Sequence, residues 1–219
     1  MKIFLSGATS YLGSKFISLC KDKYEIFGFS RHDPEHAVDF LDLDTLSKAF
    51  NEFNPDVIIH LGAIVDQDAE KVRGPNIEGT RNLVALAKSK NIPFVFMSSE
   101  SVYGGKAETG DYKEVDQYQP RSVYGETKVE SEKLVKESGL SYLILRGHRF
   151  VGINLAYNKP KQFPDTLKAL ANSEVVHLDS KKLFKPTLIN HVVAVIETYL
   201  TRDLGQQIIL NVGTEKAVT

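Results

Sequence analysis

The chain has 219 residues, 42% of them hydrophobic and 25% charged, with a formal net charge of −1 and a single cysteine, Cys20. That balance argues against a nucleic-acid partner held by bulk positive charge, and one cysteine excludes an internal disulfide, which suits a reducing cytoplasm. The opening "MKIFLSGATS" is apolar for three residues only, too short for a signal peptide, and no later run approaches the ~18 apolar residues of a membrane span, so the expected location is cytoplasmic with no membrane partner.

In chain order, "KIFLSG" (2–7) reads as a buried strand and "GSKFISLCKD" (13–22) as a helix. A second strand, "YEIFGFS" (24–30), precedes the helix "LDTLSKAFNEF" (43–53), and "PDVIIHLGA" (55–63) is a third strand. The helix "NIEGTRNLVALAKSK" (76–90) then leads to the strand "IPFVFMSS" (92–99), the charged helix "SVYGETKVESEKL" (from 122) and the strand "SYLILRG" (141–147). Near-continuous apolar strands separated by helices predict a doubly wound parallel sheet covered on both faces, an α/β fold of the Rossmann kind. Residues 151–185 break the rhythm, with one helix expected near 164–171, and read as part of a small C-terminal substrate lobe. The alternation resumes with a helix at 190–200 and the strand "QQIILNVG" (206–213), so residues 1–150 and 186–219 are expected to share one domain. The closing "GTEKAVT" carries no final helix, and the expectation is a curtailed second lobe.

The turn after the first strand, "SGATSYLG", has Gly7 for a tight bend and Gly13 for close helix packing, around Thr9, Ser10, Tyr11 and Leu12. Such a turn offers helix N–H groups to a pyrophosphate, with Ser10 standing where an all-glycine version has glycine. The second strand ends in Ser30-Arg31 with no acid before Asp33, which favours a 2′-phosphate and hence NADP(H), with NAD(H) as the other candidate. Asp42 and Leu43 fall where the next loop would pass an adenine, and Leu61, Gly62 and Ala63 would form a backbone wall along the cofactor.

Tyr124 and Lys128 are four residues apart, on one face of a helix. A neighbouring ammonium is expected to lower the phenol from its usual ~10 into catalytic range, while the lysine also holds a ribose. Ser99, at the end of the fourth strand, is placed to hold a substrate oxygen. Glu132 and Lys136 would form an i,i+4 pair on the solvated face of the same helix. Between Arg146 and Lys185 there are eight Lys/Arg against three Asp/Glu, and Arg146, Lys181, Lys182 and Lys185 are candidates to meet a diphosphate. His60 ends a strand near the cofactor, and the other histidines lack metal-ligand spacing, so no metal site is expected.

Together "SGATSYLG", "NIEGTRNL", "MSSESVYGG" and "YGETK" resemble the extended short-chain dehydrogenase/reductases that modify nucleotide sugars, over nearly the whole chain. The stretch from "GDYKEVDQYQPRSVYGETK" to "SYLILRG", with "LFKPTLINHVVAVI" later, is most similar to dTDP-4-dehydrorhamnose reductases. The resemblance implies that Ser99, Tyr124 and Lys128 are catalytic, that Asn76 supports the site, that Glu100 lies at the substrate, and that a homodimer pairs through the two long helices. It also implies NADPH-dependent reduction of a 4-keto group on a nucleotide-linked deoxysugar. Two alternatives stay open: an epimerase or dehydratase that recycles bound NAD(P), and a non-catalytic NADP-binding regulatory subunit. Ser99-Glu100-Ser101 departs from the Thr-Asp-Tyr usual in these reductases, and "GHRFVGINL" departs from the family pattern after Arg146.

Overall fold

A computed structural model describes residues 1–33, 35–66, 68–104, 111–154, 157, 172–173 and 186–213. Six strands form one parallel sheet: β1 (Lys2–Ser6), β2 (Glu25–Phe29), β3 (Val57–His60), β4 (Phe94–Ser99), β5 (Tyr142–Gly147) and, completing the edge, β8 (Gln207–Val212). Their spatial order is β2-β1-β3-β4-β5-β8, so the winding reverses beside β1, and its carboxyl end opens the crevice where such sheets take ligands. Beyond β2 the edge continues as one isolated bridge, Ser30 to Ala37.

Strand parity sorts the side chains into two cores. Ile3, Leu5, Ile59, Val95, Leu143 and Leu145 pack against α1 (Tyr11–Cys20) and α6 (Ile189–Thr198), through Phe16, Cys20, Val192 and Ile196. Phe4, Ile58, Phe94, Phe96 and Ile144 pack the other face against α2 (Leu43–Phe53), α4 (Gly79–Lys90) and α5 (Val123–Lys136), through Phe50, Leu83, Val84 and Val135. A short helix, α3 (Ala69–Arg73), runs through a π-helical turn (Gly74–Glu78) into α4, so the helix expected from residue 76 has a longer lead-in. Two-residue strands β6 (Phe150–Val151) and β7 (Thr187–Leu188), far apart in sequence, pair in parallel beyond the main sheet.

The helix expected near 164–171 and most of the expected 151–185 lobe lie outside the described residues. Among the described residues no helix is long and apolar enough to cross a membrane.

Candidate active site

The first turn is built by two glycines that meet each other. Gly7 has φ +79°, and a Cβ there would sit 2.6 Å from the Gly62 nitrogen; a Cβ on Gly13 would fall inside the carbonyl of Gly7. Ser10, in the place of a middle glycine, caps α1: its hydroxyl accepts from the Gly13 N–H at 3.0 Å. The serine is therefore compatible with the turn, and Tyr11 and Leu12, whose N–H groups fall in the first turn of α1 without intrahelical acceptors, line the crevice. This backbone cradle fits a pyrophosphate, because only glycine lets the turn and the loop after β3 approach so closely.

A cleft of about 380 Å³ opens here, lined by Ser10, Tyr11, Leu12, Leu61 and Ala63 on the turn side and by Met97, Ser99, Tyr124 and Lys128 on the other. The three residues expected to do chemistry are thus brought to one place. Ser122 caps α5, accepting from the Gly125 N–H at 3.1 Å. Gly125 lets that first turn press against the 3-10 turn after β4, since a Cβ there would lie 2.7 Å from the Ser101 carbonyl oxygen. The result is that the Tyr124 phenol and the Ser99 hydroxyl share the cleft, close enough for the serine to lower the phenol's pKa.

The expected lowering of the Tyr124 pKa by Lys128 is not what the structure gives. Burial pushes the phenol up to about 12, and the Ser99 hydrogen bond offsets this only in part. The Lys128 ammonium donates to the Met97 carbonyl at 2.8 Å and lies 4.6 Å from the Phe96 ring centroid; burial pushes it down to about 7, with Glu132 pulling the other way.

Asn76 is buried and acts on the loop after β3. Its amide donates to the Ile64 carbonyl at 3.0 Å and to Thr127 at 3.1 Å, and its side-chain oxygen accepts from the Ile64 N–H at 2.8 Å. It ties that loop to α5 and so supports the framework without lining the cleft. Tyr11 lines the cleft while its hydroxyl donates to the Gly152 carbonyl, fastening the segment after β6 over α1. Asp42 does not reach into the cleft; its carboxylate caps α2, and the Thr45 side chain, then the Thr45 and Asp44 N–H groups, hold its pKa below the usual value. Leu43 begins α2 and is 52% exposed.

Arg31 is exposed and carries no hydrogen bond or ion pair among the described residues, beside the Thr9–Ser30 hydroxyl contact of 2.9 Å. Asp33, the first acid after β2, turns its carboxylate onto the Glu35 and His36 N–H groups.

Arg146 is a correction. The expectation placed it at the ligand side, but strand parity directs it to the α5 face, where its side chain is 2% exposed. Its guanidinium grips Glu132 through two bonds of 2.9 and 2.7 Å and also donates to Tyr103, the Glu114 carbonyl and Tyr118. Burial works against its charge, yet Glu132 more than offsets this and holds the pKa above the ordinary value. Glu132, which also accepts from Ser98 and Tyr118, is accordingly not on a solvated face, and Lys136 reaches the Tyr118 hydroxyl at 2.7 Å instead. Lys181, Lys182 and Lys185 lie outside the described residues.

Among the described residues, the basic ones lining the cleft are Lys128, Arg149 and His148, and no Asp or Glu is among the lining residues. Sequence reasoning missed Arg149 and read His148 as a histidine without metal-ligand spacing. Their only signal was position, immediately after the fifth strand. Glu100, expected near substrate, lies with Oε2 3.7 Å from His148 Nδ1.

His60 is a core residue, bonded to Ser6 and to Thr80. Burial, helped by the nearby Lys128 charge, depresses it from 6.5 to about 3, so it stays neutral when folded. The unfolded chain takes up that proton below pH 6.5, so this contribution to stability is full above 6.5 and is lost as pH falls toward 3. Lys128, at about 7, becomes protonated in the folded form as in the unfolded one as pH falls through 6, and its contribution is common to wild type and variant. The melting temperature of the wild type is expected to drop between pH 6.5 and 5 more steeply than that of His60→Asn. Equal slopes would refute the assignment.

A model of the RmlD substrate binding domain matches residues 1–214. A probable low-salt glycan biosynthesis reductase of Haloferax volcanii is 26% identical, over all of this chain and 76% of that protein. Methionine adenosyltransferase 2 subunit beta of Bos taurus is 28% identical over 66% of this chain, a match that spans 46% of the subunit. Among solved structures, a dTDP-4-dehydrorhamnose reductase of Bacillus anthracis in complex with NADP superimposes with a TM-score of 0.88 at 20% identity, covering the whole of this chain and 76% of that one. The glycine cradle, the Ser99–Tyr124–Lys128 cleft and the match over 214 residues agree: the chain belongs to the RmlD substrate binding domain family, within the extended short-chain dehydrogenase/reductases.

Proposed function

We propose that the chain reduces the 4-keto group of a nucleotide-linked deoxysugar with NADPH, in the manner of a dTDP-4-dehydrorhamnose reductase. The observation that carries the reading is that Ser99, Tyr124 and Lys128 line one cleft with the first turn of α1. The relatives named as a glycan biosynthesis reductase and a dTDP-4-dehydrorhamnose reductase support the same class.

In this reading Gly7 and the α1 turn from Ser10 to Gly13 hold a pyrophosphate, while Leu61, Gly62 and Ala63 wall the cofactor and Lys128 takes its ribose hydroxyls. The exposed, unpartnered Arg31, with Asp33 occupied in its own turn, supports a 2′-phosphate. NADPH, when bound, supplies the hydride. Ser99 and Tyr124 orient the sugar carbonyl, and Tyr124 gives its proton to the oxygen as negative charge develops there. A phenol held near 12 is protonated at neutral pH, which is the form a reduction needs. With Lys128, the cleft-lining Arg149 gives the site positive charge for an anionic nucleotide sugar.

The test is absorbance at the reduced-nicotinamide band on adding a dTDP-4-keto-6-deoxy sugar, with NADPH and then NADH. NADPH is expected to be consumed in preference, and Arg31→Asp to cut that preference about 10- to 100-fold, the size of one charged hydrogen bond (~1.5–3 kcal/mol). A sugar altered without net nicotinamide consumption would instead make the chain an epimerase or dehydratase. NADPH binding with no change in sugar would favour a regulatory subunit, the reading that similarity to methionine adenosyltransferase 2 subunit beta keeps in play.

A further inference from the structure

The ladder between β4 and β5 ends on the pair Ser99 and Gly147. The next residue on each segment, Glu100 and His148, therefore leaves the sheet beside the other, directly past the serine that holds the substrate oxygen. Glu100 Oε2 and His148 Nδ1 are 3.7 Å apart, an ion-pair separation, and both side chains keep some access to water, at 22% and 30% exposure. Each is held by its backbone. Glu100 opens the 3-10 turn capped by Ser99, whose hydroxyl accepts from the Ser101 N–H at 3.2 Å. The His148 N–H donates to the Thr187 hydroxyl at 3.0 Å, and that hydroxyl donates to the Val212 carbonyl at 2.6 Å, which pins the loop to β7 and β8. His148 lines the same cleft as Ser99 and Tyr124.

We propose that the Glu100–His148 pair is a second proton-transfer group of this cleft, placed to take the proton from the carbon next to a carbonyl held by Ser99 and Tyr124. The proposal rests on reading the cleft as a keto-sugar site. A carbon beside a ketone is acidic enough for an imidazole working near neutral pH. A carboxylate 3.7 Å from Nδ1 stabilises the imidazolium as it forms, and the substrate proton is assigned to Nε2. Arg149, lining the cleft next to His148, favours the negative charge that develops on the oxygen.

The step balances without an oxidant. The C–H bond breaks and its proton goes to Nε2, while the electron pair moves through the adjacent carbon to the carbonyl oxygen, which takes the Tyr124 proton to give an enol. Reversal returns a proton from Nε2 to carbon. Because His148 is in contact with water, the returned proton comes from solvent. A pure reductase has no need of this pair; a site that also enolises its ketone does.

The experiment incubates the full chain in D2O with NADP+ in place of NADPH and a dTDP-4-keto-6-deoxy sugar, and reads deuterium in the recovered ketone by mass spectrometry and NMR. NADPH oxidation is measured separately on the same preparation. The wild type is expected to place deuterium at the carbon next to the carbonyl well above an enzyme-free control. The ratio of exchange to NADPH oxidation is expected to fall about 100-fold in His148→Gln and about tenfold in Glu100→Gln. No exchange above the control in the wild type, or an unchanged ratio in both variants, overturns the proposal. NADPH oxidation by the same preparation then tells whether the reductase reading falls with it or stands alone.

Discussion

Tyr124→Phe is expected to lower turnover with NADPH by about 10²–10⁴-fold while NADPH affinity stays within a few fold of the wild type. The split follows from where the hydroxyl sits. The phenol lies beside Ser99 in the cleft, whereas the lysine assigned to the cofactor ribose is anchored elsewhere, on the Met97 carbonyl. Removing one oxygen from Tyr124 leaves the ring, the α5 cap and the Lys128 contact with Phe96 in place. What disappears is a group beside Ser99 that is protonated at neutral pH and that, in the proposed reaction, releases its proton as alkoxide forms. Ser99→Ala, which removes an orienting bond and not the donor, is expected to cost less, and the loss should fall on kcat for both. Nicotinamide absorbance gives turnover, and nicotinamide fluorescence gives binding. Turnover of Tyr124→Phe within threefold of the wild type would remove the phenol from the mechanism.

The residues that sequence reading brought together share a reason for being legible. Ser99 is placed by the end of an apolar strand, Tyr124 and Lys128 by helical spacing, and Gly7 and Gly13 by a turn that tolerates no side chain. All are consequences of local periodicity, which survives without knowledge of the neighbours. Arg146 was misplaced because a strand end specifies position along the sheet, while the face is set by parity. Tyr142, Ile144 and Arg146 share the α5 side, and Gly147, one residue on, reaches the cleft edge, packed close to Met97. Glu132 was misread for the complementary reason: a charge on an amphipathic helix normally faces water, and only a partner 14 residues away on another element explains its burial. The meeting of Glu100 and His148 depends on the β4–β5 register, and that of β6 with β7 on a pairing across more than thirty residues, so neither leaves a local pattern. Ser10 looked like a defect in a glycine motif, and its capping bond to Gly13 makes it a compatible variant.

That hidden pair is also where the largest stability effect is expected. Arg146→Met should destabilise the fold by about 3–5 kcal/mol, because it strands the Glu132 carboxylate in a site with no water contact. For a chain of this size that is a fall in melting temperature on the order of 10 °C. Ser98 and Tyr118 still donate to Glu132, so the carboxylate is not wholly unsatisfied, but two neutral hydroxyls do not replace a bidentate guanidinium. The same replacement releases the Tyr103 hydroxyl and the Glu114 carbonyl from the cation that joins β5 to the segment before α5. A pH series separates the electrostatic cause from simple loss of packing. In the variant the stranded carboxyl has a raised folded pKa, so its penalty is greatest above that value and shrinks as pH falls and the group takes a proton. The gap between wild type and Arg146→Met should therefore narrow toward acid, and pairing it with Glu132→Leu should recover part of the loss at neutral pH. A gap that is constant with pH, together with no recovery in the double variant, would mean that Arg146 contributes by filling space, and that the ion pair itself adds nothing to the fold.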